Sequence, residues 1–463
     1  MTVLPWLRVD GRHLVDESGH PVRLYGVGMG GWMNMENFIT GYPGNEENIR
    51  RILLDRMGQE PYDAFFEAFY ADFISEDDAA HLASLGLNSV RIPFNYRHFE
   101  SDARPFELRE QGFEMLDRVI DLFARHGIYS ILDLHAAPGR QNRQWHSDNP
   151  GHLAEFWQHP HFQDRAIHLW EALADRYRDR PEVAGYNPLN EPAAELGEAL
   201  AEFYDQVAAV IRAVDPRHIL FLDGNKQSTD FSIFAQRNEP LPNTVYTAHD
   251  YALPGISREA QYPGSTKGEH YDRARLEETF LKRTAYMRET GTPIWVGEFG
   301  PFYPPEKPEE IWRYQLLHDQ LEIYDEHEAS WALWTFKDVG LQGLLYARED
   351  SAYMQQIRPA HQLKEQLGTD YWGGSEVGVS HLLQPIKELF VREFPDFHPY
   401  PWGQDRHIGL LVRNILLAEP LAERFGDLFR GVSPEQARAL AGSFRFDQCQ
   451  ERSELSKIIR EHT

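Results

Sequence analysis

The sequence predicts an α/β protein built as a (β/α)8 barrel, the TIM-barrel fold, with long loops on its C-terminal face and a helical C-terminal extension. Three observations predict it. Eight short β-rich runs alternate with amphipathic stretches, and several of those runs are apolar almost throughout. The segments after the runs are long and rich in Gly, Pro, His and aromatics, whereas those before them are short. Parallel strands covered on both faces read as continuous apolar runs.

The strand candidates are "RLYGVGM" (23–29), "LNSVRIPF" (87–94), "IYSILDLH" (128–135) and "VAGYNPLNE" (183–191), followed by "HILFLDG" (218–224), "TVYTAHDY" (244–251), "PIWVGEFG" (293–300) and "ASWALWTFK" (329–337). Helical spacing covers 61–86, 111–127, 195–216 and 311–328, the first two ending on a glycine stop. Residues 33–60, 136–162, 251–271 and 338–378 are expected as long loops or insertions. Beyond them, "HLLQPIKELFVREF" (381–394) is expected to close the barrel. Residues 1–395 thus read as the barrel domain and 396–463 as a helical extension packed on it.

A formal charge of −26 argues against nucleic acid or an anionic membrane as partner, since both reward Lys and Arg. No stretch approaches the roughly 20 apolar residues that span a bilayer. The opening "MTVLPWLRVDGRH" shows no signal-peptide pattern. The single cysteine, Cys449, has no partner for an internal disulfide and fits a reducing compartment. A cytoplasmic location is the expectation.

The strand ends carry the chemistry. An apolar run that stops on Asn190 and Glu191 and is cut by Pro192 offers a carboxylate to water or to a site. Arg91, His135, His249, Tyr251, Glu298 and Trp334 end other runs, so one barrel would gather them at one pocket. Two facing carboxylates suit glycosidic cleavage: one delivers a proton, the other stabilises or captures the oxocarbenium ion. Arg91 and the Tyr251 hydroxyl would favour an anionic Glu298. Glu191, with Asn190 and apolar surroundings as its expected neighbours, would hold a proton. Asn190 suits a sugar 2-hydroxyl, and Trp334 a flat wall for the ring.

Taken singly, each residue has a duller reading. Glu298 could sit at a helix start, Arg91 in a buried ion pair, and His135 beside Asp133 in the core. His146, His152, His159 and His161 crowd one loop and could bind a metal, but HExxH is absent. Gly28, Gly30 and Gly31 do not have the spacing of a dinucleotide loop. They read instead as a close turn under the sugar, with Trp32 and Glu36 as substrate contacts. Lys337 is the one strand-end lysine that could form a Schiff base.

The order of "GVGMGGW" (26–32), "RIPF" (91–94), "DLHAAPGRQN" (133–142), "NEP" (190–192), "GEFG" (297–300) and "WTFK" (334–337) resembles glycoside hydrolase family 5. The opening is similar to its exo-β-1,3-glucanase branch. The resemblance implies a retaining barrel enzyme without a cofactor or catalytic metal, with Glu191 as acid/base and Glu298 as nucleophile. It implies substrate positions at Arg91, His135, Asn190, His249, Tyr251 and Trp334, to which the reading of the loops adds Trp32, Glu36, Trp145 and His146. The expected substrate is a short oligosaccharide or small glycoside, cleaved in exo fashion. The alternatives are an open-cleft endo-β-glucanase or mannanase, a furanosidase or diglycosidase, and a binding barrel without activity.

Overall fold

In the computed structural model, which describes residues 4–235 and 239–463, eight parallel strands hydrogen-bond into a closed ring. They are β1 (Tyr25–Gly28), β2 (Ser89–Asn95), β3 (Tyr129–Ala136), β4 (Val183–Asn187), β5 (Ile219–Asp223), β6 (Thr244–His249), β7 (Ile294–Glu298) and β8 (Ser330–Leu333). Six lie within their predicted runs, while β2 and β3 each run one residue past theirs, to Asn95 and Ala136, and β8 closes on β1 by pairing Trp331 with Tyr25. Neighbours in the ring are consecutive in sequence, as right-handed β–α–β crossovers require.

Alternation along each strand builds the interior in layers. Ile131, Ile219, Phe221, Val245, Trp295 and Ala332 form an apolar floor, joined by Leu7 and Leu14 of an N-terminal antiparallel sheet that plugs that end. Two residues further on, β3 turns inward with Asp133 where Ile131 was, β5 with Asp223 after Phe221, and β6 with Thr247 after Val245. Together with Arg91 and Asn187 these make a fully buried polar layer. Another step along brings β3 to His135 and β6 to His249. Val90, Ile92, Phe94, Leu132, Leu134 and Leu222 face outward to the helices.

The helices depart from expectation in three places. The stretch 61–86 is two helices, Gln59–Asp72 and Glu76–Ser84, because Ser75 and Asp78 form a capping box that starts the second. The regions read as loops hold helices of their own, Glu46–Met57 and Ala352–Leu367. Ser351 caps the latter and Gly368, at φ +56°, ends it. The barrel is closed by β8, not by 381–394. That segment forms the helix Ser380–Glu393 at the periphery, where Leu383 packs with Val379 and Ile408 in a small separate core. The last helices return to the barrel side: Ala418–Asp427 lies on Glu46–Met57, and Pro434–Ala441 on Gln59–Asp72. Among the described residues no helix is long and apolar enough to cross a membrane.

Candidate active site

Nine of the twelve predicted site residues line one pocket at the carboxyl ends of the strands: Glu36, His135, Trp145, His146, Glu191, His249, Tyr251, Glu298 and Trp334. Glu298 ends β7 just past an irregularity in its pairing with β6. Arg91 Nη1 donates to Glu298 Oε1 at 2.5 Å, and the Tyr251 hydroxyl donates to Oε2 at 2.9 Å. Both oxygens are thereby fixed.

Glu191 sits four residues past the end of β4 in a strained conformation, φ +46°, that disfavours an L side chain by about 1–2 kcal/mol. The peptide is pinned on both sides. Its N–H donates to Asp223 Oδ2 at 2.8 Å, and its carbonyl accepts from Asn142 Nδ2 at 3.0 Å. The kink turns the carboxyl into the pocket, where His249 Nδ1 lies 2.8 Å from Oε1, and where His146 Nε2 (3.2 Å) and Gln227 Nε2 (3.1 Å) meet Oε2. Oxygens of Glu191 and Glu298 and a His249 nitrogen all lie within 4.8 Å of one another.

These neighbours correct the expectation of an apolar setting for Glu191. Burial pushes its carboxyl up, but His146 and His249 outweigh that and hold it well below the usual range. His249 moves the opposite way: burial lowers it, while Glu298, Asp223 and Glu191 raise it. The pair is therefore best described as carboxylate and imidazolium sharing one proton.

Arg91 and Asn190 lie one layer below the pocket, fully buried. Arg91 Nη2 donates to Asn187 Oδ1 (3.0 Å) and Asn190 Oδ1 (2.6 Å) and stands 3.2 Å from Asp133. Asn190 Nδ2 faces His135 Nε2 at 3.3 Å. Both therefore hold other site residues, and neither lines the pocket as a substrate contact would. Trp32 is a plain correction: it is fully buried, donates to the Tyr70 carbonyl at 3.1 Å, and does not reach the pocket. Gly28 and Gly30 do not form a bare turn beneath a ligand. A Cβ on either would stand 2.4 or 2.7 Å from the Trp334 ring, so they make room for that ring. On its other side Trp334 stacks on His135, with centroids 5.4 Å apart and planes within 1°.

His135 is held by Asp133 at Nδ1 (2.8 Å) and Glu36 at Nε2 (3.3 Å). Burial lowers it, yet the two carboxylates push it up to about 10. The loop histidines do not gather: His146 turns to Glu191, His152 to His407, His159 to Phe162 and His161 to Phe106. A cation among Glu191, His249 and Glu298 would have to face the Arg91 guanidinium already seated on Glu298, so the trio suits a metal poorly. Lys337 is buried on Asp78 at 2.6 Å, away from the pocket.

Sequence reading missed several residues. Asp223, pushed up to about 6 by burial, fixes the Glu191 backbone from the end of β5. Applying the strand-end rule to that run would have found it. Gln227 lies in three consecutive left-handed residues, Lys226–Ser228 (φ 50–59°), and accepts a hydrogen bond from Trp402 Nε1. Tyr371, Trp372, Trp402 and Arg406, all from beyond residue 340, complete the rim. No local pattern in the sequence marks that return.

Residues 44–340 match the family model for Cellulase (glycosyl hydrolase family 5). A beta-xylosidase of Phanerodontia chrysosporium is 45% identical over 99% of this chain and 98% of its own length. A probable glucan 1,3-beta-glucosidase A of Aspergillus fumigatus is 32% identical over 44% of this chain and 50% of its own. Among solved structures, a glycoside hydrolase (TM-score 0.54, 22% identical, 69% of this chain and 90% of that one) shares the fold. So does an endogalactoceramidase (TM-score 0.52, 18% identical, 72% and 75%).

Proposed function

The chain belongs to glycosyl hydrolase family 5 and is a glycosidase, and from that premise we propose a retaining, exo-acting β-glycosidase that takes short oligosaccharides or small glycosides. One observation carries the retaining reading: a Glu191 oxygen and a Glu298 oxygen lie within 4.8 Å of each other. Retention suits carboxyl groups about 5–5.5 Å apart, whereas inversion needs roughly 6.5–9.5 Å to admit a water.

In this reading a Glu298 oxygen attacks the anomeric carbon as the bond to the leaving oxygen breaks. That oxygen takes the proton of the Glu191–His249 pair through Glu191. Esterifying Glu298 removes a negative charge beside the pair and lowers its proton affinity. Glu191 then accepts a proton from water, whose oxygen attacks the same carbon and releases Glu298. Arg91 and Tyr251 receive the carboxylate back.

Exo action is supported by the walls. Trp145, Gln227, Tyr251, Trp372 and Trp402 enclose the acids from four directions of the chain, which favours a pocket over a through-going cleft. The names of the two relatives favour β-linked xylose or glucose as the terminal sugar. The test is a panel of p-nitrophenyl β-xyloside, β-glucoside, β-mannoside and β-galactoside, with the first-formed sugar followed by proton NMR. Release of the β-anomer is expected. An α-anomer, or no turnover of any member, would overturn the reading.

A further inference from the structure

Among the described residues, fifteen large hydrophobic side chains are exposed, and ten of them fall between residues 377 and 416. That segment is less than a tenth of the chain, so the excess is local, and single scattered apolar residues do not explain it.

The helix Ser380–Glu393 carries four of the ten, and the turn that follows it, through Phe394, Phe397 and Trp402, carries three more. Leu382, Ile386 and Leu389 recur at i, i+4 and i+7 and so share one side, where they are 49%, 38% and 41% exposed. Leu383, on the flank of that stripe, already fills the small core with Val379 and Ile408. His381, Gln384, Glu388 and Arg392 hold the opposite side, which is polar except for the exposed Val391 near the helix end. The helix is thus amphipathic with an apolar sector wider than the fold covers. Past its end, Phe394 and Phe397 extend the apolar surface around Phe390, with ring centroids 5.4 and 6.1 Å away.

This surface runs into the active-site rim. Phe397 meets the His407 ring at 6.0 Å, and the neighbouring Arg406 guanidinium lies 4.9 Å over the Trp402 ring. Trp402 is 39% exposed, lines the pocket, and bonds to Gln227, which holds Glu191. The charge of the segment is also distinctive. Lys387, Arg392, Arg406 and Arg413 balance Glu388, Glu393, Asp396 and Asp405, so the −26 of the chain lies wholly elsewhere.

We infer that the helix Ser380–Glu393 and the Phe394–Trp402 turn dock on an uncharged or zwitterionic lipid surface, bringing the pocket mouth against it. An amphipathic helix lying in the interface, followed by aromatic residues at headgroup level, is the chemistry of such contacts. The charge argument against membranes applies to anionic ones alone. A second copy is the poorer occupant: it would cover Trp402 at the mouth and bring together two chains of −26.

The test is flotation of the full chain with phosphatidylcholine vesicles, which needs no turnover and so stands or falls apart from the glycosidase reading. The wild type is expected to float with the vesicles, and less so when phosphatidylserine is mixed in at low salt. Leu382→Ser/Ile386→Ser/Leu389→Ser is expected to lower the partition on the order of tenfold or more. These side chains are exposed and outside the site, so its melting temperature and hydrolysis of a soluble aryl glycoside serve as the folding control. Three results would overturn the inference: no flotation of the wild type, equal flotation of the triple variant, or a wild-type dimer in sedimentation that the triple variant abolishes.

Discussion

Arg91 and Glu298 meet at 2.5 Å, the guanidinium fully buried and the carboxylate nearly so, although 207 residues separate them. The same guanidinium stands 3.2 Å from Asp133 and donates to Asn187 and Asn190. One cation therefore neutralises two acids and anchors the loop that carries Glu191. Arg91→Met would leave both carboxylates buried without a counter-charge, at a cost of about 3–5 kcal/mol. The expected outcome is that loss in urea unfolding together with at least a ~100-fold drop in kcat/KM. A variant with wild-type stability would show that Arg91 is not the counter-charge these two acids depend on.

The two glutamates are separable by leaving group. Glu298→Ala removes the nucleophile and is expected to abolish turnover of every substrate. Glu191→Ala removes only proton transfer, which a 2,4-dinitrophenolate leaving group does not need. With that substrate it should show a burst of phenolate followed by slow release of sugar. Added azide, which needs no general base, should speed the slow phase and yield a β-glycosyl azide. The burst and the azide product are read by stopped-flow absorbance and NMR.

The barrel was legible because strands buried on both faces leave apolar runs that no loop resembles, and because Glu191 and Glu298 break such runs with a charge. The tier beneath was equally readable. In "LDLH" the alternation that turns Leu132 and Leu134 outward must turn Asp133 and His135 inward together. The setting of Glu191 was not readable, since His146 and Gln227 reach it from loops without periodicity. Trp402 lies 211 residues beyond it, on a segment whose return to the rim depends on helix packing alone.

Gln227 offers a test of that setting. Its amide donates to Glu191 Oε2 and so favours the anion; Gln227→Ala should therefore raise the proton affinity of Glu191. The alkaline limb of the kcat/KM profile is expected to move up by about half to one pH unit, with kcat lower by roughly tenfold. Trp402→Phe, which frees Gln227 without deleting it, should move the limb the same way by less. A profile unchanged in both variants would remove Gln227 from the acid's environment.

His135 links the site to stability. Its proton affinity is raised from 6.5 to about 10, against the lowering effect of burial, by Asp133 and Glu36. A raised group stabilises the folded state fully below its unfolded value and loses that contribution as pH climbs through the folded one. Unfolding free energy should thus fall between pH 6.5 and 10, by an amount on the order of 3–5 kcal/mol for this group. His249, raised by its own carboxylates, adds to the same trend. In His135→Gln the fall should be visibly shallower in urea titrations across that window.

Gly28 tests the wall beneath the sugar. The Trp334 ring lies between the His135 imidazole and the β1 backbone, and a Cβ at position 28 would stand 2.4 Å from its Cε3. The ring cannot give way toward His135, because that imidazole is itself held by Asp133 and Glu36. It must swing into the pocket or push β1 out of register with β2. Gly28→Ala is therefore expected to cost about 1–3 kcal/mol and to raise KM more than it lowers kcat, since the platform moves while both carboxylates stay in place. Trp334→Ala relieves the clash, so the double variant Gly28→Ala/Trp334→Ala should be no less stable than Trp334→Ala alone. Additive losses in that cycle, measured by urea unfolding, would place the strain somewhere other than between residues 28 and 334.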